Sequence, residues 1–111
     1  MLPTPYLALV SDYSERHNEA GRLITEWTPR PEAEPVYGWG PPQTREPKTA
    51  GYDRLVVDVE LFAPPTFSVK PRDRVRLAGQ DYQVIGYAED YTHGPFGFAP
   101  GVVVNLRRGD G

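Results

Sequence analysis

The chain contains no cysteine in its 111 residues. This absence excludes disulfide bonds, thiolate metal ligands and a cysteine nucleophile together. The chain also lacks any apolar run close to the roughly 18 residues that a membrane-spanning helix needs. No basic segment followed by an apolar run lies near Met1, so we expect no signal peptide. These absences predict a soluble protein that is made in the cytoplasm and has no membrane partner.

The chain has little net charge, because 12 lysines and arginines stand against 15 aspartates and glutamates, which gives −3 at pH 7. Tight, general binding of nucleic acid usually needs a strongly basic face. The charge balance therefore argues against that function. It remains compatible with a protein surface past which DNA moves without being bound tightly.

Proline and glycine are abundant, with 13 and 11 residues, and aromatic residues make up 12% of the chain. A disordered chain would lack those aromatics. The length suits one domain. We therefore predict an all-β fold, namely a small single-domain β-barrel of SH3-like or related type over residues 1–111. Long loops rich in proline and glycine are predicted at about 11–21, 37–52 and 90–100.

Alternation of apolar and polar residues predicts the strands. Along 54–62 the odd-numbered residues are apolar and the even-numbered ones are largely polar, which is typical of a strand with one buried face. A tight hairpin is predicted around Gly79, because glycine suits the positive φ of such a turn. Further strands are predicted at 6–10, 22–28 and 102–107, the last with Asn105 among its outward-facing residues.

The residue types that usually perform catalysis do not cluster in the sequence. His17 and His93 lie in separate polar segments without the spacing of metal ligands, so we expect no metal site and no cofactor. Asp90 and His93 could form an acid–base pair, which leaves a small hydrolase as a minor alternative. Asp58 and Glu60 are interpreted as a solvated strand face. We therefore expect no enzymatic activity.

Basic and aromatic residues indicate binding surfaces instead. Lys70, Arg72, Arg74 and Arg76 form a basic cluster that Arg107 and Arg108 extend, and it suits either phosphates, an acidic partner or a solvated strand. Aromatic residues in the predicted loops favour a protein interface. They would also suit a monomeric oligonucleotide-binding β-barrel that stacks bases. These loop aromatics are Tyr37, Trp39, Tyr52, Tyr91, Phe96 and Phe98.

An ordered set of segments resembles a known family. The segments, in chain order, are VYGWGPP at 36–42, YDRLVVDVELFAPP at 52–65, PRDRV at 71–75, YQVIG at 82–86, HGPFG at 93–97 and PGVVVNLRR at 100–108. In these segments the chain is similar to the head-to-tail stopper proteins of long-tailed actinobacteriophages, also called head-closure or head–tail connector proteins. The similarity covers most of the chain.

The resemblance implies a structural protein of the virion neck. It would form a homo-oligomeric ring of six or twelve copies between the portal and adaptor on one side and the tail terminator on the other. Such a ring closes the DNA-filled head, joins it to the tail and opens to let double-stranded DNA pass.

In related closure proteins a long loop plugs the channel, and residues 37–52 match that loop by position. The candidate plug residues are Trp39, Gln43, Thr44, Arg45, Glu46 and Lys48. The candidate inter-subunit contacts are Tyr91, Phe96 and Phe98.

Overall fold

The fold is all-β, as predicted. A computed structural model describes residues 4–42, 48–51, 55–90 and 101–109, and within these ranges the chain forms eleven strands and no helix. The strands are β1 (Tyr6–His17), β2 (Leu23–Pro29), β3 (Glu34–Val36), β4 (Gly38–Gly40), β5 (Thr49–Ala50), β6 (Leu55–Val56), β7 (Val59–Ala63), β8 (Arg74–Leu77), β9 (Gln80–Val84), β10 (Glu89–Asp90) and β11 (Val102–Arg108).

One antiparallel sheet holds nine of these strands. Its path runs β2–β1–β8–β9–β11–β7–β4, with β10 beside β11 and β3 beside β1, while β5 and β6 form a separate two-stranded ribbon. Only Tyr37 separates β3, which pairs with β1, from β4, which pairs with β7. Segment 34–40 therefore runs from one side of the sheet to the other, and the wall is barrel-like. Among the described residues, no single continuous ladder closes it.

The core lies inside this wall and is built from the alternating strands. Val59, Leu61 and Ala63 of β7 point inward together with Val75 and Leu77 of β8. Burial of each valine or leucine side chain contributes about 1.5–3 kcal/mol. Further core residues are Ala8, Val10, Val36, Phe67, Tyr82, Val84, Val104 and Leu106.

The hairpin predicted around Gly79 is confirmed, and its turn is very short. Leu77 pairs with Gln80, so that only Ala78 and Gly79 form the turn. Both have positive φ, 49° and 82°, which is the backbone of a type I′ turn. Glycine tolerates that conformation without cost, whereas Ala78 adopts it under strain.

The loop predicted at 11–21 is wrong over most of its length. Strand β1 continues to His17 and pairs with β2 from Ser11 onward, so only residues 18–22 form the turn. Asn18 closes it, because its Oδ1 accepts hydrogen bonds from the backbone N–H groups of Ala20 and Arg22 at 3.0 and 2.9 Å. We call residues 12–28 the arm, since this hairpin extends beyond the barrel wall.

Two other predicted boundaries change. The loop at 37–52 contains strands β4 and β5 within its described part. The last strand has two buried faces, because Asn105 and Val103 are only 3% and 7% exposed. The sequence predicts Asn105 on an outward face, and that face is buried instead, with Asn105 Nδ2 lying 3.4 Å from the Glu89 carboxylate of β10.

Candidate functional site

The arm is fixed to the barrel by a buried carboxylate. Asp73 is 0% exposed, and its Oδ1 accepts a hydrogen bond from Tyr13 N–H at 2.9 Å. Its Oδ2 accepts one from Lys70 N–H at 2.8 Å. Hydrogen bonds to a charged acceptor contribute more than neutral ones, about 1.5–3 kcal/mol each. One side chain therefore joins the start of β8, the turn before it and the base of the arm.

Trp27 forms a second attachment from the other strand of the arm. Its Nε1–H donates to the carbonyl of Arg72 at 2.9 Å, and its ring packs against Tyr13 with the centroids 5.3 Å apart. The guanidinium of Arg74 lies 3.5 Å from the centre of the Trp27 ring. This cation–π contact covers one face of the indole.

Arg72 also helps to attach the arm, and its own backbone is strained. Its φ is 76°, in the left-handed region that costs a non-glycine residue about 1–2 kcal/mol. Its guanidinium pairs with Glu15 at 2.8 Å and lies 5.6 Å from the ring centre of Tyr13. These contacts hold the strained turn in place, so the arm leaves the barrel in a defined direction.

Beside the arm, the outer face of the sheet carries a groove. It has a volume of about 290 Å³ and adjoins a second depression of about 250 Å³, with which it shares Arg74 and Asp81. We call this surface the arginine face. The residues of the first groove are Leu9, Ser11, Trp27, Pro29, Arg74, Arg76 and Asp81, and the second adds Tyr82, Gln83, Arg107, Arg108 and Gly109.

The charges of the arginine face are only partly neutralised. Arg76 Nε donates to Asp81 Oδ1 at 2.7 Å, and this hydrogen bond holds the pKa of Asp81 below its usual value. Within the described part of the chain, no carboxylate pairs with Arg107 or Arg108. The face is therefore a positive patch on a chain whose overall charge is negative.

Apolar side chains also reach the surface next to this groove. Leu7 is 61% exposed and Leu9 is 53% exposed on the outer face of β1, and Tyr6 packs edge-on against Trp39 with the ring centroids 5.2 Å apart. Contiguous apolar patches on a surface mark interaction sites. Other large exposed apolar residues are Leu23, Val56, Phe62 and Tyr87.

A polar cluster lies on the opposite wall. Lys48 Nζ donates to Glu60 and to Glu89, and Asn105 Nδ2 lies 3.4 Å from Glu89 Oε1. Burial by itself would lower the pKa of Lys48, but the hydrogen bonds to the two carboxylates outweigh it and raise that pKa. Glu60 is consequently an ion-pair residue, and its interpretation as part of a solvated face was wrong. Asp58 is exposed, and its Oδ2 accepts from Arg108 N–H at 2.9 Å.

Two of the six predicted plug residues lie in the described part of the chain. Trp39 belongs to β4 and packs against the core, and Lys48 is held in the ion pairs just described. Trp39 is therefore part of the sheet, and Lys48 is tied by its ion pairs to Glu60 of β7 and Glu89 of β10. The other predicted site residues, which lie outside the described residues, are Gln43, Thr44, Arg45, Glu46, Tyr91, His93, Phe96 and Phe98.

The predicted basic cluster is divided by its partners. Arg72 pairs with Glu15, Arg74 covers Trp27 and Arg76 pairs with Asp81, whereas Arg107 and Arg108 join the same face from β11. The sequence analysis missed Asp73, which lies within the basic cluster and accepts hydrogen bonds from Lys70, three positions earlier, and from Tyr13, sixty positions earlier. No local pattern reveals a contact of that separation.

Neither a metal-binding group nor a membrane-spanning helix is found within the described ranges. Comparison with models of protein families and with curated proteins finds no match to this chain.

Proposed function

We propose that the chain is a structural protein of a phage neck, a head-to-tail stopper that assembles as a ring between the portal and adaptor and the tail terminator. The observation that supports this best is the arm. It is attached rigidly to the barrel through Asp73, Trp27 and Arg72, and most of its side chains are exposed. A stiff projection of this kind suits contact with neighbouring subunits, since little conformational entropy is lost when it is bound.

The surfaces of the barrel also support assembly. Leu7 and Leu9 are exposed beside the arginine face, and apolar residues together with arginine are enriched at protein interfaces. A ring joined head to tail needs two different surfaces on each subunit. The arm and the arginine face are two such surfaces. Tyr91, Phe96 and Phe98 stay predicted contacts within this proposal.

The alternative, a monomeric oligonucleotide-binding β-barrel, is less well supported. Such a barrel needs aromatic faces open to bases and a basic groove that follows the backbone. Trp27 is already covered by Arg74, and three of the clustered arginines have partners within the chain. Arg107 and Arg108, which pair with no carboxylate among the described residues, would neutralise few phosphates.

The proposal is tested in the phage that encodes the chain. Without this protein, infected cells should accumulate heads and tails that are not joined, and electron microscopy of the lysate counts them. Wild-type protein supplied from a plasmid should restore joined particles. Immunogold labelling should place the protein at the head–tail junction.

Two results would contradict the proposal. Joined, infectious particles in the absence of the protein would remove the neck function. Binding of single-stranded DNA with a steep dependence on salt concentration, lost in an R107E/R108E variant, would favour the oligonucleotide-binding alternative. A dependence on His93 for hydrolysis of any substrate would favour the third alternative.

A further inference from the structure

The outer edge of β2 is open. The backbone N–H of Arg30 donates to the carbonyl of Val10, and that of Asn18 donates to the carbonyl of Arg22, at the two ends of the arm. In an antiparallel ladder, hydrogen-bonded and non-hydrogen-bonded pairs alternate. With the register of β1 and β2, residues 24, 26 and 28 therefore direct their N–H and C=O groups toward β1. Leu23, Thr25 and Trp27 direct theirs away from it.

Within the described part of the chain, no strand pairs with this edge, since β2 ends the path of the sheet. The edge has seven residues, and its only proline is the last one, Pro29. An exposed edge of this length is a template for pairing with another strand unless charge, proline or a bulge protects it. Among the residues whose backbone groups face this edge, only Pro29 offers such protection.

The sequence of the edge complements itself. When two copies of β2 run antiparallel with Thr25 opposite Thr25, Leu23 of each copy lies opposite Trp27 of the other, and Ile24 lies opposite Glu26. This register joins all three outward N–H groups of each strand to carbonyls of the other. Leucine beside tryptophan and threonine beside threonine are favourable cross-strand pairs, each contributing about 0.2–1 kcal/mol.

The neighbouring two-fold registers are poorer. A shift that centres the pair on Glu26 places the two glutamates directly opposite each other, which is destabilising. A shift that centres the pair on Ile24 places Trp27 past Leu23, the first residue of the partner's β2, and opposite the partner's turn at 18–22. The outward N–H and C=O groups of Trp27 then have no strand to pair with. The register centred on Thr25 joins all three outward N–H groups of each strand without placing two like charges opposite each other.

We propose that two copies of this chain pair through their β2 edges in this register, so that one antiparallel sheet continues across a two-fold axis. The occupant of the edge is thus a second copy, and the contact is isologous. The pairing goes beyond the proposed neck function and does not depend on it, because it follows from the edge alone.

The absence of native cysteine makes a direct test available. In the proposed register the two Thr25 Cα atoms are about 5.5 Å apart, the distance of a hydrogen-bonded antiparallel pair. This lies within the range that a disulfide spans. The full-length T25C variant, treated with a mild oxidant, should form a covalent dimer on a non-reducing gel. Reduction should return it to the monomer.

Thr28 provides the matched control, because it is exposed on the same strand. Its two copies would be six residues apart along the pair, about 20 Å. The T28C variant should therefore form at least tenfold less covalent dimer under the same conditions. Equal cross-linking of T25C and T28C would indicate random collision and would overturn the proposal, as would failure of T25C to cross-link.

A second pair of variants tests the hydrogen bonds without cysteine. T25P removes an N–H that points away from β1, so the arm keeps its own ladder, and proline is tolerated at a solvent-facing edge position. It should weaken self-association by at least tenfold in sedimentation velocity, whereas T25V, which keeps the N–H, should not. Circular dichroism verifies that both variants are folded.

Self-association that T25P leaves unchanged would overturn the proposal, and so would a wild-type protein that stays monomeric at every concentration tested. Neither result bears on the neck function, which the phage experiment decides. Conversely, if joined particles form without the protein while T25C still cross-links, the neck function is excluded and the pairing of β2 stands.

Discussion

Asp73 is the side chain on which the direction of the arm depends most, because its two oxygens accept backbone N–H groups from Tyr13 and Lys70. D73A leaves both backbone N–H groups without their charged acceptor. We expect it to lower the free energy of unfolding by about 2–4 kcal/mol. Urea denaturation followed by tryptophan fluorescence measures this, since Trp27 lies in the arm.

The matched control for that variant is D81A. Asp81 is also a paired aspartate, but its pair with Arg76 is solvent-exposed on both sides and therefore contributes little to stability. The expected order of stability is wild type, D81A, then D73A. Equal stability of D73A and D81A would mean that the Asp73 hydrogen bonds do not anchor the arm.

Arg30 provides the pH-dependent part of the arm's attachment. It donates to both oxygens of Asp12 at 3.0 and 2.8 Å, to Glu34 at 3.2 Å and to the carbonyl of Ser68 at 2.8 Å. The hydrogen bond from Arg30 is the main cause that holds the pKa of Asp12 below its usual 3.8. A lowered folded-state pKa stabilises the protein above the unfolded value, and this stabilisation is lost as the pH falls through the folded one.

R30M should therefore destabilise the protein more at pH 7 than at pH 2.5. The pH-dependent part of that difference should stay below about 1 kcal/mol, because the Asp12 side chain is 41% exposed. Urea denaturation of both proteins at the two pH values measures it. A constant difference between wild type and R30M across this range would show that Asp12 and Arg30 are not coupled.

At the scale of elements, strands with one buried face could be predicted and strands exposed on both faces could not. The alternation along β7 predicted that strand, because one face of it lies in the core. Beyond Val10, β1 leaves the barrel, and polar side chains cover both of its faces. Such a stretch has no period of two, so its sequence predicts a loop at 11–17 where the structure has a strand.

The candidate site was predictable only in its local part. The basic cluster at 70–76 is visible in the sequence, and two of its members, Arg74 and Arg76, lie on the arginine face. Its partners Glu15 and Trp27 come from the arm, 57 and 45 positions earlier. Pairing across such separations is decided by how β1 and β8 meet, and no pattern in either strand specifies it.

The start of β11 depends on a glycine. Gly101 has a φ of 148°, and a Cβ atom there would overlap the carbonyl oxygen of Ala63 on the neighbouring β7. We expect G101A to destabilise the protein by about 3 kcal/mol or more, since two strands must separate to admit one methyl group. Thermal unfolding measured by circular dichroism is the readout.

Gly40 offers the matched control within the same sheet. A Cβ there would meet nothing within 4 Å, and the residue lies in β4. G40A should therefore unfold within a few degrees of the wild-type protein. If G40A and G101A unfold together, the close approach of Gly101 to Ala63 does not limit the fold.

At the scale of the whole molecule, residues 43–46 are four of the six proposed plug residues, and the other two, Trp39 and Lys48, have contacts within the described part of the chain. Deletion of these four residues should leave the protein folded and able to join heads to tails. The heads should lose their DNA, since the channel would lack its closure. Nuclease protection of packaged DNA measures the loss.

K48A is the control for that deletion. It breaks the ion pairs with Glu60 and Glu89 and should lower stability without opening the channel. Full retention of DNA by the deletion variant would exclude residues 43–46 as the closure. Leakage of the same size in K48A would indicate a weakened wall instead.

Strand β1 belongs to the barrel in its first half and to the arm in its second, with no break between them. A pull on the turn at 18–22 is consequently transmitted along the strand to its pairs with β3 and β8. These hydrogen bonds lie across the direction of the pull, so they bear the load simultaneously and not one after another. The arm is thus connected to the barrel without a hinge, and all of these hydrogen bonds together resist a force applied along the strand.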